Sequence, residues 1–516
     1  MSESTSAPKK RIFDRVLDGI EKVGNKLPDP SVLFLLALAL TWVCSWALDG
    51  TKVLVPKAGG GFDEQLVTNQ LSGKALVAWM SGMVSTFVNF PPLGVVLVAM
   101  LGLGVADKSG FINALLKKLL GITPKALLTP MLIFISLLSL VAVDAGYVLV
   151  IPLGGVIFYA AGRHPIAGIT ASFAAISGGF CANYLPTALD TILAGLTQAG
   201  ARVVNANVTV NPLANIYFTI ASSLLVLLVG WFVTDKVVEP RLRRLPVDGD
   251  PAEMPKMQEL SAAENKALWL ALGAMAFGLV VLAASCLPAS SPFRDENGEL
   301  GTVKAPLMKT IVPWILFLFL LPGTTFGYVA GTFKNHRDVV QAMAKTMNTM
   351  GYYMVMAFCA AMFIQAFNTS NLGKMLAISG ANGLQSLGLP TGVTIVGMIL
   401  CCGVVNLVMG SSSAKWTLLA PIFVPMLMQL GISPELTQAA YRIGDSTTNI
   451  ISPLNPYFPL IVTFTQKYHR GTGVGTMISL MLPYSLVFLS LWTVFLLCYW
   501  GVGIPLGPGS SYTYGG

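Results

Sequence analysis

The chain has 516 residues, 54% hydrophobic and only 11% charged, with mean hydropathy +0.70. Soluble domains carry about 25% charged residues, so too few polar side chains are present to cover a water-facing surface, and the apolar residues fall in long runs. A soluble enzyme, a disordered chain and a nucleic-acid binder are excluded, which leaves an all-α polytopic membrane protein, and the net charge of +8 must be explained by where the charges sit.

In chain order, residues 1–30 form a polar segment taken as cytoplasmic, with no cleavable signal pattern before the first apolar run. Nine spans are predicted: 31–48, 92–106, 165–200 with a break, 214–234, 267–286, 311–330, 351–367, 434–468 with a break, and 475–500. The stretches 126–162 and 394–430 can each hold two short helices but not two full spans, so each is read as a re-entrant hairpin. Residues 235–310 form a linker around the unpaired span 267–286, with at most a short amphipathic helix before it. Residues 501–516 form an external tail.

Lysine and arginine placement tests this map. With the N-terminus inside, 22 of the 32 Lys and Arg fall on the cytoplasmic side and eight outside, while Lys415 and Arg442 sit at membrane depth. This is the positive-inside bias. The basic balance is therefore mostly topological, and no nucleic-acid partner is needed. The cysteines show no metal-ligand spacing, and the three histidines lie beside Lys or Arg in loops, so no haem or zinc site is expected.

The sequence also matches itself weakly at an offset of 269. Pro152, Pro165 and Ser177 meet Pro421, Pro434 and Ser446, while Asp144 meets Ser413. Element order is the same in the two copies, 31–234 and 311–500, and an odd number of spans separates equivalent helices. The copies must then be inverted, as in many secondary transporters. Irregular backbone at membrane depth is tolerated only where protein or a water-filled cavity encloses it. The first break runs from Ser177, Gly178 and Gly179 through Asn183 to Pro186, and the second from Thr447, Thr448 and Asn449 to Pro453 and Pro456. Freed backbone groups with Ser, Thr and Asn oxygens suit a desolvated Na+ or a substrate carboxylate.

Intramembrane ionisable groups mark function by default, and four stand out: Asp144 at the first hairpin tip, Asp190 after the first break, and Arg442 with Asp445 before the second. Arg442, Asp445 and Asn449 are spaced to share one helix face. They read either as a structural pair closing the bundle or as a guanidinium fork for an anionic substrate beside a cation-exchanging carboxylate. Trp416 follows the tip of the second hairpin, where it can stack on an aromatic ligand or serve as an interfacial anchor. Asn406 in the arm before that tip is explained equally by hairpin packing and by ion binding.

The segments GRHPIAG (162–168), ANYLPTALDTILAGLTQ (182–198), VTDKVVEPRL (233–242), SSSAKW with APIFVPMLM (411–428), and YRIGDSTTNIISP (441–453) resemble the p-aminobenzoyl-glutamate transporter (AbgT) family over nearly the whole chain, from Asn25 to Gly507. The resemblance implies a dimeric secondary transporter of the bacterial inner membrane with nine spans and two hairpins. Some members import p-aminobenzoyl-glutamate and others export sulfonamide antimetabolites. It places substrate-handling positions at Asp190, Ser413, Trp416, Pro434, Arg442, Asp445 and Pro453, and the polar hairpin position at Asn406.

The expected protein is an ion-coupled carrier and not an enzyme, in a lipid bilayer, with no resident cofactor and Na+ or H+ as coupling ion. Trp416 is expected to stack on the aminobenzoyl ring and Arg442 to take a carboxylate, with Asp190, Asp445, Asn449, Asn406, Asp144, Ser177 and Asn183 around the ion. The alternative is a dicarboxylate or other organic anion carrier of the same architecture. Lys415 stands where an uncharged residue is expected: facing the cavity it would replace a cation or add an anion contact, and snorkelling to the interface it would change nothing.

Overall fold

Prolines and small polar residues set where the helices of this chain start and stop. The computed structural model describes residues 28–56, 62–121, 124, 127–143, 146–243, 245–249, 260–300, 305–452 and 454–515. Helix α1 (Pro30–Ala47) starts on a proline whose missing N–H is no loss in the first turn, and Asp29 caps it by accepting from the Ser31 amide at 2.8 Å. A two-stranded antiparallel hairpin follows, β1 (Lys52–Pro56) and β2 (Phe62–Leu66). Then come α2 (Gly73–Val88), α3 (Pro91–Lys108) and α4 (Phe111–Gly121).

The first hairpin descends as α5 (Leu128–Leu138), turns, and returns through a π-helical turn into α6 (Ile151–Ala160). Helix α7 (Pro165–Phe173) ends in a second π-helical turn, Ala174–Gly178, and after an irregular stretch α8 (Ala188–Ala201) resumes. Helix α9 (Ile216–Val233) continues through a third π-helical turn to Leu242. The expected linker therefore starts a turn or two later than the sequence implied. Helix α10 (Ala262–Cys286) stands at the periphery against α11 (Ile311–Ala330).

The second half runs through α12 (His336–Thr349), α13 (Gly351–Thr369) and α14 (Leu372–Ser386) to a hairpin of α15 (Thr391–Val408) and α16 (Ser412–Gln429). Helix α17 (Pro434–Asn449) breaks off before α18 (Phe458–Gln466), and α19 (Val474–Val502) closes the bundle. Ser433 caps α17 by accepting from the Leu436 amide at 3.1 Å, and Pro434 opens it.

Among the described residues six helices are long and apolar enough to cross a membrane, or seven if α14 and α15, bent by 119°, count as one. The remaining spans read from the sequence correspond to α1 and to the two interrupted helices, α7 with α8 and α17 with α18. Four helices, α2, α4, α12 and α14, and the β-hairpin were missed. Helix α2 buries none of its residues and carries Ser81, Gly82 and Ser85 among its apolar ones, so hydropathy alone does not announce it. The β-hairpin flanks a Gly59–Gly61 run, a turn signal between two alternating stretches.

Both hairpins are anchored. At the base of the first, Arg163 donates to Thr129 Oγ1 at 2.7 Å, pairs with Asp235 at 2.6 Å and with Glu239, and Trp231 Nε1 donates to Asp235 at 2.8 Å. The second approaches the break after α17 so closely that a Cβ on Gly410 would stand 2.2 Å from the Leu454 carbonyl oxygen. Residues 506–514 run back along the molecule. The Phe218 amide donates to the Leu506 carbonyl at 3.0 Å, and the Ser433 amide to the Tyr512 carbonyl at 3.1 Å.

Candidate functional site

The two broken helices meet the two hairpins at one place. Tyr147 of the first hairpin stacks on Tyr457 of the second break, with ring centroids 3.9 Å apart and 6° between planes. Asn455 in the second break donates to Ser177 Oγ at 2.8 Å, and the Cys181 amide in the first break donates to Ser446 Oγ at 3.0 Å. The Cys181 amide freed by the first break thus finds its acceptor on α17, and Asn455 of the second break bonds both Ser177 and the Asn449 carbonyl, as buried irregular backbone requires.

Helix α17 lies inside this junction with all sixteen residues buried, although its composition is polar. Two of its three charged side chains, Arg442 and Asp445, are paired; the third, Glu435, is buried in the first turn. Arg442 Nη1 lies 2.8 Å from Asp190 Oδ1, with side-chain exposures of 2% and 5%. The contact is ionic: Nη1 is misaligned as a hydrogen-bond donor, and neither it nor Nε has a hydrogen-bond acceptor among the described residues. Asp190 is held by its own helix end. Its Oδ2 accepts from the Thr187 amide at 2.7 Å, Thr187 Oγ1 at 2.8 Å and Asn183 Nδ2 at 3.0 Å, forming the capping box of α8. The carboxylate therefore caps α8 and neutralises α17 together.

The second pair is Lys415 with Asp445, both fully buried. Lys415 Nζ also donates to Asn406 Oδ1. Asn406 Nδ2 in turn reaches the Asp445 carbonyl, Thr448 Oγ1 at 2.8 Å and Asn449 Oδ1 at 2.9 Å. Close approach of α15 to α17 makes this possible, since a Cβ on Gly444 would stand 2.3 Å from the Ile399 carbonyl oxygen.

Trp416 is fully buried. It stacks on Tyr441 at 4.3 Å and 24°, and its Nε1 donates to Thr197 Oγ1 at 2.9 Å, an oxygen that also accepts from Gln438 Nε2 at 2.9 Å. The Tyr441 hydroxyl donates to the Ser412 carbonyl at 2.6 Å and lies 3.3 Å from Asp445 Oδ1.

Cavities adjoin this core. One of about 480 Å³ is lined by Tyr147, Ser411, Ser412, Ser413, Asn449 and Asn455, among others. A second, of about 350 Å³, includes Thr187 and Ala188 at the start of α8 and shares Val143, Phe180 and Leu189 with the first. Both fall in the size range of small-molecule sites.

Asp190, Arg442, Asp445, Asn406, Asn449, Asn183 and Ser177 thus gather as the sequence suggested, and Ser413 faces the cavity. Asp144 and Pro453 lie outside the described residues. Two readings change, those of Arg442 and Trp416, and the open one of Lys415 is decided. Arg442 is engaged by Asp190 and does not stand open to an anion, because an unpaired cation would be costly at that depth. Trp416 has one face taken by Tyr441 and lines neither cavity. Lys415 does not snorkel; it points inward. Tyr441, Thr197 and Gln438 had escaped notice, although Tyr441 precedes Asp445 by four residues and so shares its face.

The oxygens of Asp445, Asn406, Thr448 and Asn449 form a donor set chemically suited to a hard cation. In this arrangement they do not fit Na+, because the Lys415 ammonium already occupies the contacts of Asn406 Oδ1 and Asp445 Oδ1.

The AbgT putative transporter family matches residues 15–514. The chain belongs to the AbgT family. It is 33% identical over 505 residues to the p-aminobenzoyl-glutamate transport protein of Escherichia coli (strain K12), covering 98% of each chain. The structure of the Neisseria gonorrhoeae MtrF protein, described as illuminating a class of antimetabolite efflux pumps, is 42% identical with a TM-score of 0.90, covering 96% of this chain and all of that one. The Alcanivorax borkumensis YdaH transporter, described as having an unusual topology, is 40% identical with a TM-score of 0.88, covering 93% of this chain and all of that one. This AbgT-family chain is thus a multi-pass membrane transporter, with a small molecule as substrate.

Proposed function

We propose that this chain is an ion-coupled secondary transporter of small aromatic carboxylates of the p-aminobenzoyl-glutamate kind, or of sulfonamide antimetabolites. The observation that carries this reading is the 480 Å³ cavity at the tip of the second hairpin, which meets the buried Asp445–Asn406 network through Asn449. Ser413 and Asn449 offer hydroxyl and amide groups to a substrate, and the Arg442 and Trp416 layer lies behind them, available once the ion pair or the aromatic stack rearranges. The names of the relatives in E. coli and N. gonorrhoeae supply p-aminobenzoyl-glutamate and antimetabolites, and the sulfonamide class comes from the family resemblance of the sequence.

The same reading takes the chain as two inverted repeats, 31–234 and 311–500, joined through the unpaired span 267–286, with nine membrane crossings. Its support is the parallel element order and the position of Pro165 and Pro434, each opening the first arm of a broken helix. It further takes the protein as an inner-membrane homodimer with its N-terminus cytoplasmic. Helices α1, α9, α11 and α19 form the framework against which the hairpin-bearing bundle moves.

Proteoliposomes should accumulate or release labelled p-aminobenzoyl-glutamate, or a labelled sulfonamide, under an ion gradient, with succinate competing poorly. Asp190→Ala, Arg442→Ala and Trp416→Ala should each abolish most of that flux. Unchanged flux in all three sinks the site assignment, and strong competition by succinate favours a dicarboxylate carrier.

A further inference from the structure

A lysine with no exposed surface is expensive unless its charge is used. Lys415 stands on the second arm of the second hairpin, one residue before Trp416, and its ammonium is enclosed between Asn406 of the first arm and Asp445 of α17. Those two oxygens are the ones a bound cation would need. The site is otherwise complete: Asn406 is oriented by Thr448 and Asn449, and Asp445 Oδ2 has no hydrogen-bond partner among the described residues.

We infer that the Lys415 ammonium is the chain's own cation in the coupling site, so that the transporter cycles by binding and releasing a proton at Lys415 Nζ and has no requirement for Na+. The inference rests on the transport reading above and specifies the coupling ion of that same site. The proton step balances simply. In the arrangement described, Lys415 carries its proton and Asp445 is ionised. Opening of the site to water lets the ammonium pass one proton to water, leaving a neutral amine beside the Asp445 carboxylate. The two ion pairs, Lys415–Asp445 and Arg442–Asp190, then change from two cations and two carboxylates to one cation and two carboxylates.

That change of one unit of charge couples the proton to substrate. Asn449 both lines the 480 Å³ cavity and bonds to the Asn406 that holds Lys415. An anionic substrate in that cavity is favoured by the protonated lysine and repelled once the proton has left, since charges in a desolvated site interact strongly. The other groups facing Lys415 are Cys402 on α15, Cys181 in the first break and Tyr441 beside Asp445. The Arg442–Asp190 pair adds no net charge. An arginine at position 415 would keep the charge but could not release the proton, because a guanidinium does not deprotonate in proteins.

The full-length protein in proteoliposomes tests this with labelled p-aminobenzoyl-glutamate. Wild-type accumulation should follow an imposed pH gradient and be unchanged when choline replaces Na+ on both sides. In Lys415→Arg, accumulation under that gradient should fall to the level reached without a gradient, because the guanidinium keeps its proton, while exchange of labelled for unlabelled substrate at equal pH persists. Lys415→Gln should likewise lose gradient-driven accumulation. A lysine with a merely structural role would be rescued by arginine, so full accumulation in Lys415→Arg overturns the inference, as does wild-type accumulation that depends on a Na+ gradient. Binding of radioactive sodium by purified protein gives an independent readout that needs no substrate. Sodium held by the wild type overturns the inference; sodium held only by Lys415→Gln supports it. Wild type that moves no labelled substrate under any gradient defeats the transport reading instead, and sodium binding then decides the role of Lys415 alone.

Discussion

The first broken helix and the second use the same backbone device with opposite chemistry. Each begins on a proline, Pro165 or Pro434, and each ends its first arm in a run of small polar residues. Yet α7 is buried as an apolar rod, whereas α17 is buried with an arginine, an aspartate and a line of hydroxyl and amide groups. The first half contributes its charge only after the break, as Asp190 at the start of α8. The second half does not pair all of its buried charges by itself. Arg442 takes its counter-ion from the first half, and Asp445 takes its own from the neighbouring hairpin. The comparison teaches that the chemistry of this junction is assembled across the halves, so the halves should be energetically inseparable there.

The largest expected effect tests that cross-half pair. Asp190→Ala leaves Arg442 buried without a counter-ion and removes the cap of α8, which should cost about 3–5 kcal/mol; Asp190→Asn should cost less because the amide oxygen still accepts from Thr187. Thermal unfolding in detergent measures both, and an Asp190→Ala protein as stable as wild type would mean that the halves are chemically independent. Next comes the layer behind the ions. Trp416→Ala should cost about 3–5 kcal/mol by opening a cavity, while Trp416→Phe keeps the stack on Tyr441 and loses the bond to Thr197, about 1 kcal/mol.

Within the second half alone, Asn406→Ala should cost about 1–3 kcal/mol, because it strands the partners of a buried amide. A cost for Asn406→Ala equal to that of Asp190→Ala would erase the distinction between joining the halves and trimming one of them. The smallest effect lies outside the junction. The Asp338 carboxylate accepts from the Lys334 amide at 2.6 Å and the Asn335 amide at 3.2 Å at the start of α12, and these backbone bonds hold its pKa below the ordinary value. A depressed folded pKa stabilises above the unfolded value of about 3.9 and loses that contribution as pH falls below it. Amide exchange in the first turn of α12 should therefore quicken, relative to α17, as the pH is lowered through that range.

Much of the architecture was legible because it is written in residues with backbone consequences. Pro165, Pro434 and the Ser177–Gly179 run mark breaks, and apolar stretches of awkward length mark hairpins. Helix α2 was hidden by its moderate polarity, and the β-hairpin because two five-residue strands raise little signal in a chain read for long spans. At the site, the identities of the deep charges could be read directly, but their pairing could not. Arg442 and Asp190 are far apart in sequence, and only the packing of α8 against α17 decides that they meet. Lys415 was visible as a departure, and its inward direction depends on the close contact at Gly444, a matter of three-dimensional fit that spacing does not encode.

Residues 506–514 carry a mechanical consequence. This segment is bonded at one end to Phe218, at the start of α9, and at the other to Ser433, immediately before α17. Between Leu506 and the Ser511 carbonyl, which accepts from Ser433 Oγ at 2.6 Å, five residue steps can span at most roughly 17 Å when fully extended. Any stroke that keeps both attachments therefore has a ceiling: the head of the charged helix cannot recede from α9 farther than this leash allows. A spin label on each attachment point would read the distance directly, and a separation beyond the ceiling would mean that one attachment is released during the cycle.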